Sequence, residues 1–410
     1  MAERWAVIAD DLTGALDTAL QFRKAGQQTI VSTCAGVWPS HGSVMALSTE
    51  TRHVPAASAA ASVAAAFRTL PCGTSARIYK KTDSLLRGNI GPELRALCGA
   101  AGSGPLVFAP AFPIGGRTTV DAIHRLDGVP VADAAPGRDP LTPVLESHIP
   151  TLLRESAGLT TEWVPLDVVR GDPDSFVDAI TTAQRSGANV VVPDVETDGD
   201  LSAIALGLRA SDVGRISAGS AGLAEYLAQT DQDSAQSADP GRSGFVAAVV
   251  GTPSAHTEVQ VERALATGHA RRMRIRSGAD IEAAVRATRL NRPGERLVIF
   301  DTTIEGTAPR VEECRRQLRC VGDLCRAIVD AAEQPGLILT GGDTARAALD
   351  ALEVDAIEVL GEIEWGVPGG HALRGTRRVA SVVTKGGNMG GPDALITAFR
   401  TLCSRSRHVA

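Results

Sequence analysis

The sequence predicts an α/β protein of two domains, each a mostly parallel sheet flanked by helices. At 410 residues the chain exceeds what one hydrophobic core commonly serves. Short apolar runs alternate with helix-length segments through both halves, the pattern of buried strands joined by crossover helices. Between the halves, residues 230–244 are polar, rich in Ser, Asp and Gly, and carry no strand pattern. The predicted division is an N-terminal domain at 1–229, a linker at 230–244 and a C-terminal domain at 245–410.

The first apolar run, Trp5 to Ile8, meets two aspartates, a Thr-Gly turn and a helical pattern that stops near Gly26, which reads as strand, loop, helix. Further strands are predicted at Thr29 to Thr33, Val44 to Leu47, Arg77 to Tyr79, Leu106 to Phe108 and Asn189 to Val192. Helices are predicted between them at Ala57 to Leu70, Pro92 to Cys98 and Pro173 to Arg185. After the linker, strands are predicted at Phe245 to Val250, Leu297 to Phe300, Leu337 to Leu339 and Val379 to Val383. His256 to Ala266 and Pro309 to Ala332 read as helices, and helices also follow the last two strands. In such sheets ligands sit at the carboxyl ends of the strands.

The charge is 41 minus 47, or -6, which supplies no general attraction to nucleic acid or anionic lipid. Seven cysteines without a CxxC pair fit a reducing, cytoplasmic setting better than a disulfide framework, and Cys314, Cys320 and Cys325 match no common zinc spacing. No apolar run reaches the length of a membrane span, and the opening MAERWAVIADD lacks the apolar stretch of a signal peptide.

Three loops of the second half share one layout, a buried strand ending in small residues where a helix begins: Gly251 to Ser254, Gly341 to Thr344 and Gly386 to Gly391. Glycines let the backbone approach an anion, and helix N-termini offer free N–H groups and a positive dipole end. Together the loops could cradle phosphates; singly each could be a tight turn. Neither GxxxxGK[ST] nor GxGxxG after a strand is present, which disfavours an NAD-dependent oxidoreductase.

In the first half, Asp10 and Asp11 end the first strand, where adjacent carboxylates need cations or donors. One of them either caps the following helix or acts as a base for a substrate hydroxyl, and both roles are compatible. Lys80-Lys81-Thr82-Asp83-Ser84-Leu85-Leu86-Arg87-Gly88-Asn89 gathers two lysines, an arginine and hydroxyls into a candidate anion site, with a solvated basic loop as the alternative. Pro110 to Thr119, containing Arg117, and Arg138 to His148 read as substrate loops, whereas His124 and His148 have no partner at metal-ligand spacing.

These segments resemble the four-carbon acid sugar kinases. The markers are IleAlaAspAspLeuThrGlyAla (8–15), LysThrAspSerLeuLeuArgGlyAsn (81–89), ProAlaPheProIleGlyGlyArgThr (110–118), ThrGlyGlyAspThrAla (340–345) and LysGlyGlyAsnMetGly (385–390). The resemblance covers nearly the whole chain. It implies a sugar-acid-binding N-terminal domain, a nucleotide-binding C-terminal domain and an active site in the interdomain cleft. It also implies ATP with Mg²⁺, and phosphorylation of the terminal 4-hydroxyl of threonate, erythronate or 3-oxo-tetronate. Carried onto this sequence, Asp11 and Asp83 are the catalytic candidates and Asp10, Lys81, Arg87 and Arg117 the substrate-binding ones. Ser254, Gly341, Gly342, Thr344, Gly386 and Gly387 would face the nucleotide. Leu85 stands where the family usually has Thr, and the last loop differs in side chains while keeping its glycines. Residues 138–153 look more like the threonate branch.

The resulting expectation is a kinase in which Arg87, helped by Lys81, fixes the acid's carboxylate. Asp11 or Asp83 accepts the hydroxyl proton, and the glycine loops hold the phosphates. A 3-oxo-tetronate 4-kinase and a non-catalytic regulatory protein are the alternatives. The partners expected are the acid and ATP, with neither nucleic acid nor membrane, and a homodimer as the assembly.

Overall fold

A computed structural model describes residues 4–34, 37–39, 43–70, 76–102, 104–139, 142–210, 215–229, 243–290, 297–304 and 311–403. The chain divides into two compact units. One comprises Met1–Gln28 and Cys34–Ser234, the other Thr29–Thr33 and Ala235–Ala410. Most of the polar stretch read as a linker, residues 230–242, lies outside the described residues.

The strands, in chain order, are β1 (Trp5–Ala9), β2 (Thr29–Ser32), β3 (Val44–Ser48), β4 (Arg77–Lys81), β5 (Leu106–Ala109), β6 (Arg117–Val120), β7 (Ile123–Leu126), β8 (Val129–Pro130), β9 (Thr161–Val164), β10 (Val190–Pro193) and β11 (Ile216–Gly219). The remainder are β12 (Phe245–Val250), β13 (Ala270–Arg274), β14 (Leu297–Asp301), β15 (Pro335–Thr340), β16 (Ala356–Glu364), β17 (Val367–Arg374) and β18 (Arg377–Lys385).

In the first unit the main sheet runs β3-β1-β4-β11-β5-β10-β9, and every pairing in it is parallel. Strands buried on both faces explain the near-continuous apolar runs that made them legible. Helices supply the covering faces. In the helix Ala56–Arg68, Ala59, Val63 and Ala66 are buried, an i, i+4, i+7 stripe. The core beneath joins Ile8, Leu47, Leu94, Phe108, Leu153 and Val190.

The short antiparallel sheet β6-β7-β8 begins in the segment read from sequence as the Pro110 to Thr119 loop and continues through residues for which no strand was expected. Its first turn places Asp121 and Ala122 at φ 55° and 59°, its second Asp127 and Gly128 at φ 51° and 82°, the paired positive dihedrals of tight hairpins. Asp127-Gly128 was the available signal, since that dipeptide favours such a turn.

The second unit's sheet runs β13-β14-β12-β15-β18-β17-β16-β2. Its first five strands are parallel and its last three pairings antiparallel. The segment Thr29–Thr33, assigned from sequence to the first domain, groups with this unit because β2 pairs with β16 in register Ile30 to Glu358. A contiguous boundary cannot anticipate a strand contributed from elsewhere in the chain. The core joins Val250, Ile299, Ile338, Val383, Leu395 and Leu402.

Candidate active site

In the first unit, three neighbouring parallel strands end level, because Ala9 of β1 lies opposite both Ser48 of β3 and Lys81 of β4. Their carboxyl ends therefore deliver Asp10 and Asp11, Arg52, and Lys81 with Asp83, to one place. Arg52 is the hub. Its Nε donates to Asp10 Oδ2 at 2.8 Å, its Nη1 pairs with Asp11 Oδ2 at 2.8 Å, and its Nη2 lies 3.8 Å from Asp83 Oδ2. Burial opposes charge on Arg52, yet the three carboxylates hold its protonated form well above the ordinary range. Burial would likewise raise Asp10, but Arg52, Lys80 and Lys81 keep it below the usual carboxylate value.

Asp11 does cap the helix Leu12–Lys24, its Oδ1 accepting the Gly14 N–H at 2.7 Å. Gly14 is demanded by crowding. A Cβ there would stand 2.6 Å from Asp11 Oδ1 and 2.9 Å from Lys81 Nζ. The Lys81 ammonium itself donates to the Thr82 carbonyl at 2.7 Å, and no carboxylate pairs with it among the described residues.

Asp83 is committed more fully. Its Oδ1 accepts from the Leu85 N–H, the Arg87 N–H and Arg87 Nε, and its Oδ2 from Arg87 Nη2 at 2.8 Å. Burial works against the carboxylate, but Arg52, Arg87 and Lys81 hold it far below the usual range. Arg87 is thus gripped bidentately, and its Nη1 lies 3.4 Å from Asp139 Oδ2. Arg117, on β6, differs: no carboxylate pairs with it among the described residues, and its Nε is buried without a hydrogen-bond partner. Burial lowers its affinity for the proton, while Asp83 and Asp127 oppose that shift.

The surrounding shell explains the rest of the 80–89 segment. Lys80 is buried against Glu93 Oε2 at 2.6 Å, and Thr51 Oγ1 donates to Glu93 Oε1 at 2.5 Å. Asn89 Nδ2 donates to the carbonyls of Thr51 and Val54, both at 2.8 Å, which fixes the backbone on either side of Arg52. His124 bridges Thr119 Oγ1 and the Ser84 carbonyl at 2.9 Å each, and burial pulls it down to about 4. It is a structural histidine, and so is His148, whose Nδ1 bonds Thr151 Oγ1 in the first turn of the next helix. Of the Arg138 to His148 loop, residues 140 and 141 lie outside the described residues.

In the second unit, the glycine loops follow β12, β15 and β18, which are adjacent and parallel, so their carboxyl ends bring all six predicted nucleotide residues together. Gly341, at φ 99°, opens the helix Gly342–Ala351, and its N–H donates to the Lys385 carbonyl at 2.9 Å. Ser254 caps the helix Ala255–Ala266, and its Oγ donates to the Gly387 carbonyl at 2.9 Å. The three loops pack so closely that side chains in place of hydrogen would crowd their neighbours. A Cβ at Gly387 would meet Ser254 Cβ and Thr252 Oγ1 at 3.1 Å, one at Gly341 would meet Thr252 Cβ at 3.2 Å, and one at Gly251 would collide with Thr344 Oγ1.

Sequence reasoning missed several residues here. Thr257 Oγ1 donates to the Gly387 carbonyl at 2.8 Å, and Gln260 Nε2 reaches the carbonyls of Met389, Gly390 and Gly391. Lys385, first residue of the 385–390 motif, is 3% exposed. Arg52 was also missed, although a strand ending in Ser-Thr-Glu-Thr-Arg is the signal that could have found it. No group of three His, Cys, Asp or Glu side chains could hold a metal among the described residues, and the cysteines of helix Val311–Ala331 are free.

These observations define an α/β protein with a cluster of cations and carboxylates at strand ends in one unit and three glycine loops at the ends of adjacent parallel strands in the other. Family models match both units, a sugar-binding N-terminal domain over residues 5–227 and a nucleotide-binding C-terminal domain over residues 247–395. The D-threonate kinase of Bordetella bronchiseptica is 33% identical, covering 97% of each chain, and that of Cupriavidus necator 34%, covering 97% of this chain and 98% of the relative. The D-erythronate kinase of Heliobacterium modesticaldum is 26% identical over 97% of each chain. A crystal structure from Salmonella typhimurium LT2, solved under a provisional tRNA-synthase description, has a TM-score of 0.83 at 25% identity, covering 96% of this chain and 98% of that one. A Bordetella bronchiseptica structure with bound citrate, a domain-swapped dimer, has a TM-score of 0.50 at 31% identity, covering 98% of this chain and 99% of the other. The chain belongs to the four-carbon acid sugar kinase family. Among the described residues, no helix is long and apolar enough to cross a membrane.

Proposed function

We propose that this protein transfers the γ phosphoryl group of ATP to the 4-hydroxyl of D-threonate. The observation that carries the reading is the pairing of chemistries, cations lacking carboxylate partners in the sugar-binding unit and three closely packed glycine loops at helix starts in the nucleotide-binding unit. D-Threonate is chosen because three D-threonate kinases share 31% to 34% identity, against 26% for the D-erythronate kinase and 26% to 27% for 3-oxo-tetronate kinases.

Arg117 and Lys81 are assigned to the acid's carboxylate, since neither is spent on a protein carboxylate. Arg87, committed to Asp83, is assigned to holding that carboxylate in place beside the acid. Asp11 is assigned as the base. Its side chain is 22% exposed, against 4% for Asp10 and 8% for Asp83, and Asp83 is held too acidic and too fully bonded to take a proton readily. A carboxylate has about four lone-pair sites, so Asp11 can keep its cap and still accept the hydroxyl proton.

The loops carrying Gly251, Ser254, Gly341, Gly342, Thr344, Gly386 and Gly387 are assigned to the nucleotide phosphates, because they open helices at the ends of adjacent parallel strands. Mg²⁺ entering with ATP would supply charge neutralisation on the phosphates. The protein's own tasks are to orient acid and nucleotide in line, exclude water and remove one proton. Coupled ADP release measured with ATP and D-threonate tests the reading, and a preparation that binds both ligands without turnover would contradict it.

A further inference from the structure

Lys385 ends β18 as a buried cation, and no carboxylate pairs with it among the described residues. Its Nζ donates to Thr257 Oγ1 at 3.2 Å and to the Gly386 carbonyl at 3.1 Å, both neutral acceptors. An ammonium has three donors, so one remains for another acceptor. Lys80 provides the contrast, being equally buried but matched by Glu93 at 2.6 Å. Burying a cation without a counter-charge is costly, and burial alone brings Lys385 down to about 8.

Its position narrows what could supply the missing charge. The Lys385 carbonyl accepts the Gly341 N–H, tying the second glycine loop to the third. Its ammonium reaches Thr257, in the first turn of the helix capped by Ser254, which ties in the first loop. The one buried, carboxylate-free lysine of this unit among its described residues thus stands where all three loops converge.

We propose that Lys385 is a catalytic residue whose free N–H contacts the phosphoryl group in transit and balances its charge. The proposal rests on the nucleotide reading given above. In the step, the bond from the acid's 4-oxygen to the γ phosphorus forms as the bond from that phosphorus to the β–γ bridging oxygen breaks. The hydroxyl proton passes to Asp11, and the bridging oxygen leaves on ADP with the electron pair. Lys385 keeps its proton throughout, so its contribution is electrostatic.

The test is steady-state kinetics with D-threonate, alongside calorimetric titration of the full chain with ATP, ADP and AMP. Lys385→Met should lower kcat by about 100-fold or more while AMP affinity stays within about twofold, and Lys385→Arg should stay within about tenfold of wild type. A kcat for Lys385→Met within about threefold of wild type overturns the proposal, as does an equal loss of affinity for all three nucleotides. Should the methionine variant not fold, Lys385→Arg carries the test, and a loss of about 100-fold at unchanged Tm overturns it. Wild-type protein that binds none of the nucleotides would defeat the nucleotide reading itself. Wild type that binds ATP, with a methionine variant of normal turnover, would defeat the lysine assignment alone.

Discussion

Asp11→Asn separates two roles that one carboxylate fills. The cap requires only an oxygen facing the Gly14 N–H, now 2.7 Å from Oδ1, and asparagine caps about as well as aspartate. The substitution therefore leaves the helix start intact. It does remove the charge 2.8 Å from Arg52 Nη1, at a partly exposed site, so a stability loss of about 1–2 kcal/mol is expected while Asp10 still holds Arg52. Losing a general base costs about 10²- to 10⁴-fold in rate, or about 3–5 kcal/mol of barrier. Urea unfolding and coupled ADP release should thus diverge, with a small shift in midpoint and a kcat lower by at least about 100-fold. Asp11→Ala should add about 1 kcal/mol of instability for the lost cap with no further loss of kcat. A kcat for Asp11→Asn within about threefold of wild type would refute the assignment of the base.

Other outcomes follow from the same geometry. Arg52→Ala leaves Asp10 and Asp83 buried near one another, and urea unfolding should show a loss of about 3–5 kcal/mol; a loss under about 1 kcal/mol would contradict the hub role. Arg117→Ala should raise KM for the acid at least about 10-fold with KM for ATP nearly unchanged, as read in the coupled assay. Gly387→Val forces side-chain atoms against Ser254 and Thr252, so ATP affinity by calorimetry should fall at least about 10-fold while acid binding holds. His124 has a folded-state value near 4 against about 6.5 unfolded, so the unfolded chain binds its proton first. Stability should therefore fall as pH drops below about 6.5 and level off near 4, by about 3 kcal/mol in all, and His124→Gln should flatten that part of the pH–stability curve.

Parallel strands such as β1, β12 and β15 were legible because both faces are buried and the whole run is apolar. The hairpins β6–β7 and β16–β17 were not, because their alternation is interrupted by bulges or charged residues such as Arg125, Glu358 and Glu362. Motifs contiguous in sequence, as at 81–89 and 340–345, exposed much of the candidate site. Arg52 and Lys385 escaped for a different reason: what marks them is the presence or absence of a counter-charge, which depends on strands brought level by register. The same holds for Arg87 and Arg117, equal as arginines in the sequence but distinguished once Asp83 is seen to occupy the first.

In the proposed reaction the cationic cluster of the sugar-binding unit selects a four-carbon sugar acid, and the glycine loops of the nucleotide-binding unit hold the ATP that phosphorylates it. The most direct test is to incubate the purified chain with ATP and, separately, D-threonate, L-threonate, D-erythronate and the 3-oxo-tetronate isomers, following ADP release and identifying the product by ³¹P NMR. The account predicts the highest kcat/KM with D-threonate and a phosphate ester on its terminal carbon. Turnover of another acid with none on D-threonate, or phosphate on any other oxygen, would contradict it.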